Sequence, residues 1–379
     1  MLDWFRRAAP EAKASAAGPV VAFHGAGRAA WSGRDLGSLT RVGFTSNPVG
    51  FRCVKLIAEA AAAVPFALEE DGARMEVHPV LDLMARPNGG QGAGELMEAF
   101  YGQILLSGNG YLEAVAGEAA PLELHVLRSD RMRVLPGPDG WPVGYEYAVG
   151  AKKHRFAAEA VCHVRAWHPT DDHYGLSPMQ AAAQAVDVHN AASKWSKALL
   201  DNAARPSGAI VYTSVDGAGV LGAEQYERVK SELEGQHQGA ANAGRPMLLE
   251  GGLDWKPMGF SPSDMEFQKT KEAAAREIAL AFGVPPMLLG LPGDATYANY
   301  AEANRAFYRL TVLPLVGKVA GALTQWMPGM GRARLRADFD QVPALALERE
   351  AQWRRIADAD FLTEDEKRAM LGLAPRSTG

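Results

Sequence analysis

The chain has 379 residues, with 39 Lys and Arg against 44 Asp and Glu for a formal net charge of −5, and is 47% hydrophobic and 22% charged. That length accommodates two or three domains or one large one, and the balance excludes both wholesale disorder and a surface that grips phosphates everywhere. No stretch of about 18 apolar residues escapes polar interruption, so no membrane-spanning helix and no membrane partner is expected, and the distant pair Cys53 and Cys162 excludes a disulfide framework and fits a reducing compartment.

Residues 1–40 read as a flexible tail, rich in Gly, Ala and Ser after Met1-Leu-Asp-Trp-Phe-Arg-Arg7, with no apolar core for an export signal. Gly25-Ala-Gly27 after Val20–Phe23 loosely mimics a dinucleotide loop, but Trp31-Ser-Gly-Arg34 does not continue it as a helix. The first ordered element is expected at Ser46-Asn-Pro48, with Pro at the first helical position and Phe51, Val54, Ile57 and Ala58 on one face. A strand over 64–70 turns at Asp71-Gly72, and a short helix over 78–85 and a longer one over 94–106 follow. Several short strands then run to Trp167. Residues 41–175 thus form a mixed α+β domain with mostly antiparallel pairing.

Ser177-Pro178 starts a long helix within 176–203. In it Ala181, Ala185, Val188, Ala192, Trp195 and Leu199 recur at spacings of four and three, a seam of mostly small residues against which a second helix can pack closely. Residues 204–260 read as a small αβ insert, with a strand over 209–213, a charged helix over 222–234, a polar loop over 235–244 and a hairpin around Gly251-Gly252. A second helix over 263–282, capped by Ser263 or Asp264, lies in segment 261–283 and stops at Gly283-Val-Pro-Pro286. The Gly/Pro-rich loop of 284–300 leads to a third helix, whose stripe includes Tyr297, Tyr300, Tyr308, Leu315, Val319, Leu323 and Trp326. Pro314 falls inside that stripe, which predicts a kink. A strand over 334–339 completes segment 301–340, and two short helices complete 341–379.

Nucleotide-binding P-loops, His-Glu-x-x-His, Cys-x-x-Cys and Gly-x-Ser-x-Gly are all missing from the sequence, so no cofactor, metal ligand or catalytic residue is assigned. One cluster is chemically tempting: Cys162-His163, His168, Asp171-Asp172-His173. It holds metal-ligand residue types and a conceivable nucleophile–base pair. The plainer reading is a strand end followed by a polar turn, and strand alternation puts Cys162 and His163 on opposite faces, which weakens both site readings. The arginines 332, 334, 336, 354 and 355 alternate with acids, as in a solvated or intersubunit charged face.

Several stretches, in order, are Asn47-Pro-Val-Gly-Phe-Arg-Cys-Val-Lys-Leu-Ile-Ala58, His78-Pro-Val-Leu-Asp-Leu-Met-Ala-Arg-Pro-Asn88, Leu105-Leu-Ser-Gly-Asn-Gly-Tyr111 and His163 with Tyr174-Gly-Leu-Ser-Pro178. They continue with Phe282-Gly-Val-Pro-Pro-Met-Leu-Leu-Gly290, Tyr297-Ala-Asn-Tyr-Ala-Glu302 with Phe307 and Leu313-Pro314, and Leu362-Thr-Glu-Asp-Glu-Lys-Arg368 with Gly372-Leu-Ala-Pro375. This arrangement resembles the tailed-phage portal protein family, in the branch of long non-contractile-tail phages and gene transfer agents. The resemblance implies an α+β portal-like subunit. Its parts would be a wing (41–175), two long stem helices (176–203 and 261–283), a small αβ clip (204–260), a tunnel loop within 284–300, a kinked wing helix and strand (301–340) and a short helical crown (341–379).

Members of that family form a ring, usually of about twelve subunits, at one capsid vertex, and DNA is packaged and ejected through its centre. On this likeness Leu291, Pro292, Gly293, Asp294, Ala295, Thr296 and Tyr297 line the channel, and the seam from Ala181 to Leu199 packs the stem. Glu224, Glu227, Arg228, Glu232 and Gln236 of the clip would meet the terminase large subunit and later the head–tail adaptor. The major capsid protein and double-stranded DNA, passing non-specifically, are the other implied partners. The location implied is a virion or phage-like particle assembled in the bacterial cytoplasm. Asp294 is the one charge in the loop, which suits sliding, because each Lys or Arg contact to phosphate adds affinity and friction. Two rivals stay open: a metal- or Cys-dependent enzyme centred on Cys162–His173, and a non-ring structural adaptor.

Overall fold

The computed structural model describes residues 31–116, 121–201, 208–212, 224, 227, 228, 231, 253–257, 262–293 and 297–371. Most of the expected tail, the loop 235–244 and the hairpin at Gly251-Gly252 lie outside them. Met1–Trp31 is a unit of its own, and every element below belongs to the second unit, Ser32–Gly379.

Regular structure begins earlier than Ser46. The Asp35 carboxylate accepts the Ser38 N–H at 2.9 Å and caps α1 (Leu36–Leu39), and a π-helical turn over Thr40–Thr45 leads to α2 (Pro48–Ala62). Leu36-Gly-Ser-Leu39 is too short to carry a helical period, which is why the pattern gives no sign of it. Asn47 caps α2 by accepting the Gly50 N–H at 2.8 Å, while its Nδ2 donates to Asn190 Oδ1 at 2.9 Å and to His189 Nδ1 at 3.2 Å. Asn47 and His189 are both buried. Burial, helped by nearby Lys271, holds the His189 pKa below its ordinary value, so the ring stays neutral and accepts at Nδ1. Asn47→Ala strips the cap and removes a partner from buried His189 and half-buried Asn190. We expect a loss of about 2–3 kcal/mol in urea unfolding, and a loss under about 0.5 kcal/mol would show that the cluster contributes little.

The buried face of α2 is Cys53, Val54, Ile57, Ala58 and Ala61. Phe51, expected on that face, is 43% exposed and stacks on Phe44 with ring centroids 5.0 Å apart. A side chain on Gly50 would collide with the Gly43 carbonyl, so the π-turn and α2 meet backbone to backbone.

Strands β1 (Phe66–Glu70) and β2 (Ala73–Met75) form a hairpin whose two-residue loop, Asp71 at φ 51° and Gly72 at φ 82°, has the double left-handed geometry that suits tight hairpins. Helix α3 (Pro79–Ala85) is capped by His78, and α4 (Ala93–Ser107) ends at left-handed Gly108. Six strands follow: β3 (Asn109–Ala116), β4 (Pro121–Leu127), β5 (Met132–Pro136), β6 (Pro142–Val149), β7 (Lys152–Ala157) and β8 (Val161–Arg165). They make two antiparallel sheets, β4-β3-β8 and β5-β6-β7.

The rod expected over 178–203 is two pieces, α5 (Pro178–Ala181) and α6 (Ala183–Asp201), with a turn at Ala182 between them. Strand β9 (Gly208–Tyr212) pairs with β10 (Leu253–Pro257). Helix α7 (Pro262–Phe282) begins at Pro262, so Ser263 and Asp264 lie inside it rather than capping it. Next come α8 (Tyr297–Phe307), a π-helical turn over Tyr308–Val312 and α9 (Leu313–Trp326). The widened turn sits just before Pro314, whose missing N–H leaves a carbonyl one turn back without its regular partner. Strand β11 (Arg334–Ala337) returns to pair with β1, giving the order β11-β1-β2, and α10 (Ala346–Ala357) and α11 (Glu364–Met370) end the described chain.

One correction concerns the third helix. The run Ala298–Trp326 is, by length and composition, apolar enough to cross a membrane, with a mean hydropathy of 1.3 over its most apolar window. Here its stripe of Val312, Val316, Val319, Ala320 and Leu323 is buried in the main core with α2 and α4, whose inward residues include Ile57, Leu96, Phe100 and Ile104. A smaller core of Tyr111, Leu127, Met132, Val134, Tyr145 and Val161 is shared by the sheets β4-β3-β8 and β5-β6-β7.

Two of the arginines at β11 are paired within the chain. Arg332 meets Asp71, and Arg336 meets Glu69 at 2.9 Å.

Candidate channel loop and assembly surfaces

The loop expected to line a channel is anchored at its base. Gly283 ends α7 at φ 66°, with Val284 N–H donating back to the Ala279 carbonyl at 2.9 Å. The Thr311 hydroxyl donates to the Gly283 carbonyl at 2.6 Å, tying the end of α7 to the π-turn of the third helix. Pro285 and Pro286 then fix a short 3-10 turn over Pro286–Leu289, closed by left-handed Gly290. Leu291 N–H donates to the Pro286 carbonyl at 3.2 Å, and the Arg276 guanidinium donates to the carbonyl of Pro292. Residues 283–293 carry no titratable side chain. Leu291 is half-buried, and Pro292 and Gly293 are exposed. Asp294, Ala295 and Thr296 lie outside the described residues, and Tyr297 opens α8.

The seam is split between surfaces. Ala185 and Ala192 are buried, Val188 and Trp195 are half-buried and Ala181 is exposed, while the side chain of Leu199 lies outside the described residues. Ala182, Val186 and His189 are buried too, and with Ala185 and Ala192 they make the inward line of this segment. The two long helices do pair: Trp195 stacks on Phe267 of α7 with ring centroids 4.2 Å apart and planes 20° from parallel, and α7 turns Ala274, Ala275, Ile278 and Ala279 inward. In the insert, Glu224, Glu227 and Arg228 are helical and exposed. Glu232 and Gln236 lie outside the described residues.

The cluster at 162–173 turns out to be a structural junction. Cys162 pairs opposite Leu112 and is buried, which pushes its thiol up to about 12. His163 faces the other side, stacked on Tyr111 at 4.2 Å with its Nε2 donating to Asn109 Oδ1 at 3.0 Å. Burial, assisted by Arg165 and His173, drives its pKa down to about 3. A buried thiol and a neutral imidazole on opposite faces of one strand cannot act as nucleophile and base.

Further along, His168 Nδ1 accepts the Thr170 N–H at 3.1 Å. The Asp171 carboxylate accepts the N–H groups of His173 and Tyr174 at 2.8 and 2.9 Å. Burial pushes the Asp171 pKa up, but those two N–H bonds outweigh it and leave it lowered. Among the described residues no group of three His, Cys, Asp or Glu side chains could hold a metal ion.

Sequence reasoning missed Asn109, which is buried and binds both Gly175 N–H and His163. Asn109 lies in the motif Leu105–Tyr111 and Gly175 in Tyr174–Pro178, and their joint match with His163 was the available signal. Arg276 and Thr311, the ties of the loop, had none, because nothing in the spacing says that a side chain on α7 or on the π-turn of the third helix folds back onto a loop carbonyl.

Comparison with known proteins gives consistent results. A family model described as phage portal protein matches residues 48–372. An uncharacterized protein of Rickettsia bellii (strain RML369-C) is 39% identical over 340 residues, covering 87% of each chain. A chain in the neck of an empty gene transfer agent (GTA) particle, computed with C6 symmetry, is 69% identical with a TM-score of 0.79 and is matched over 92% of this chain and 96% of that one. A chain in the neck of a native GTA particle, computed with C12 symmetry, is 68% identical with a TM-score of 0.76, over 93% and 97% respectively.

Proposed function

The chain belongs to the phage portal protein family, and we propose that it is the ring-forming portal subunit in the neck of a gene-transfer-agent-like particle. The observation that carries this reading is the likeness, at 69% identity over 92% of the chain, to a subunit of such a neck. In this reading the paired helices α6 and α7 are the stem, 204–260 the clip and 41–175 the wing. Residues 291–297 face the channel, and 341–379 are the crown. The particle would assemble in the bacterial cytoplasm, with the ring set in a capsid of the major capsid protein. The clip would receive the terminase large subunit during DNA filling and the head–tail adaptor afterwards.

The chemistry of the loop suits a conduit. Its described part has no charged side chain of its own, and it is held by Gly283, Thr311 and Arg276, so in this reading passing phosphates meet a firm, mostly apolar surface with the Arg276 guanidinium beside Pro292. The role is mechanical: the chain holds a bore open and offers docking faces.

The primary test is native mass spectrometry with negative-stain imaging of the purified chain. Closed rings of about twelve copies, roughly 490 kDa, support the reading, and a stable dimer overturns it. A second test addresses the loop. Asp294→Arg adds a phosphate-gripping cation, and we expect nuclease-protected DNA per particle, or the rate of DNA ejection, to fall several-fold at low salt and recover as salt is raised. Unchanged transfer at all salt concentrations counts against 291–297 as the channel lining.

A further inference from the structure

We infer that the apolar groove between Leu280 and Leu310 is the seat on which a neighbouring copy of this chain docks when the ring closes. This rests on the ring reading above. The groove encloses about 410 Å³ and is lined by Leu280, Val284, Pro285, Pro286, Phe307 and Leu310 among others. Leu280 is 79% exposed and Leu310 77%. Two leucines left almost wholly in water at the lip of an apolar concavity are characteristic of a surface that a partner covers. Among the described residues lining the groove, Arg276 is the one charged side chain; it sits exposed at the edge and donates to the Pro292 carbonyl, so the concavity between the two leucines is itself apolar.

The position of the groove selects its occupant. Gly283 to Pro286 form its floor, and Arg276 joins its rim to the loop at 291–293, so the groove lies on the flank of the segment that would face the channel. Neighbours in a ring crowd most closely near its axis. Twelve flanks about one helix wide, roughly 10 Å each, close a circle only about 40 Å across, which leaves no solvent-facing side at that radius. A closing ring also uses head-to-tail contacts, in which a concave patch on one copy meets a different surface on the next. An apolar acceptor groove beside the loop, with no counterpart required on its own face, meets that demand.

The double variant Leu280→Glu with Leu310→Glu tests this, since both side chains are exposed and the monomer fold should be kept, as judged by circular dichroism and melting temperature. The expected result is at least a tenfold loss of rings in native mass spectrometry, with folded monomer remaining, while Leu280→Met with Leu310→Met forms rings as the wild type does. Normal ring yield from the Glu variant overturns the groove assignment and leaves the ring reading standing. A wild-type chain that forms no ring, alone or with its capsid partners, overturns the ring reading and this inference with it.

Discussion

Gly175→Val is expected to destabilise the fold by at least about 3 kcal/mol, the range of an overpacked site that cannot relax. Gly175 and Gly108 cross with their backbones in contact. A Cβ on Gly175 would overlap the Gly108 carbonyl and lie 2.6 Å from Ala166 N and 2.7 Å from Ala166 O. Those neighbours are backbone atoms held by their own bonds: Ala166 N–H donates to Gly108 O at 2.8 Å, and Gly175 N–H to Asn109 Oδ1 at 2.9 Å. No rotamer change can make room. Forcing the two segments apart would also break the Asn109–His163 bond and loosen the start of α5, where Ser177 caps Gln180 N–H at 2.9 Å. Asn109→Ala leaves the space but removes the acceptor for Gly175 and His163, and should cost about 2–3 kcal/mol. Urea unfolding of both variants checks the pair. A Gly175→Val chain within about 0.5 kcal/mol of wild type would mean that the crossing relaxes freely and organises nothing.

What was legible in the sequence divides along physical lines. Helices α2, α3, α4 and α7 announce themselves through Pro, Asn, His or Gly at their ends and a continuous apolar period, and their observed spans lie within a few residues of expectation. The Asp71-Gly72 hairpin was equally plain, because only a turn with two left-handed residues fits that dipeptide between strands. The return of β11 to pair with β1 across more than half the chain was not, since a four-residue strand carries no address for its partner. The buried face of α6 was legible in part: spacing alone picks out Ala185 and Ala192, which are buried, but passes over the equally buried Ala182, Val186 and His189. The hydropathy of the third helix was underestimated for a related reason. Its scattered Gly, Thr and Lys look like interruptions in a linear scan, yet too few of them are charged to lower the mean of the window. At 162–173 strand alternation already told Cys162 and His163 apart in the sequence, while the burial of Cys162 and the stacking of His163 on Tyr111 needed the fold.

His163 gives the other large effect, which is on acid stability. Burial drives its folded pKa from the ordinary 6.5 down to about 3, so the native state refuses a proton that the unfolded chain accepts below about pH 6.5. The stabilisation from the neutral, stacked ring is therefore fully present above that pH and is lost as pH falls from about 6.5 toward 3. Between those limits the unfolded state binds up to one more proton at this site, so stability should fall by up to about 1.4 kcal/mol per pH unit. His189, also held below its ordinary value by burial, adds to the same limb with the same sign.

The carboxylates whose pKa values are lowered do not interfere. Glu146, held down chiefly by the Lys153 ammonium, Asp35, held by Ser38, and Asp171 keep their charge until pH drops below their ordinary range near 4. Between pH 6.5 and 5 the slope thus reports the histidines. In His163→Gln, whose amide can still donate toward Asn109, the slope of unfolding free energy against pH in that window should drop by most of one proton. The intercept above pH 7 should fall by about 1–2 kcal/mol for the lost stacking on Tyr111. An unchanged slope in that variant would show that His163 titrates normally in the folded chain, and that its contacts with Tyr111, Tyr145 and Asn109 do not keep the half-buried ring neutral.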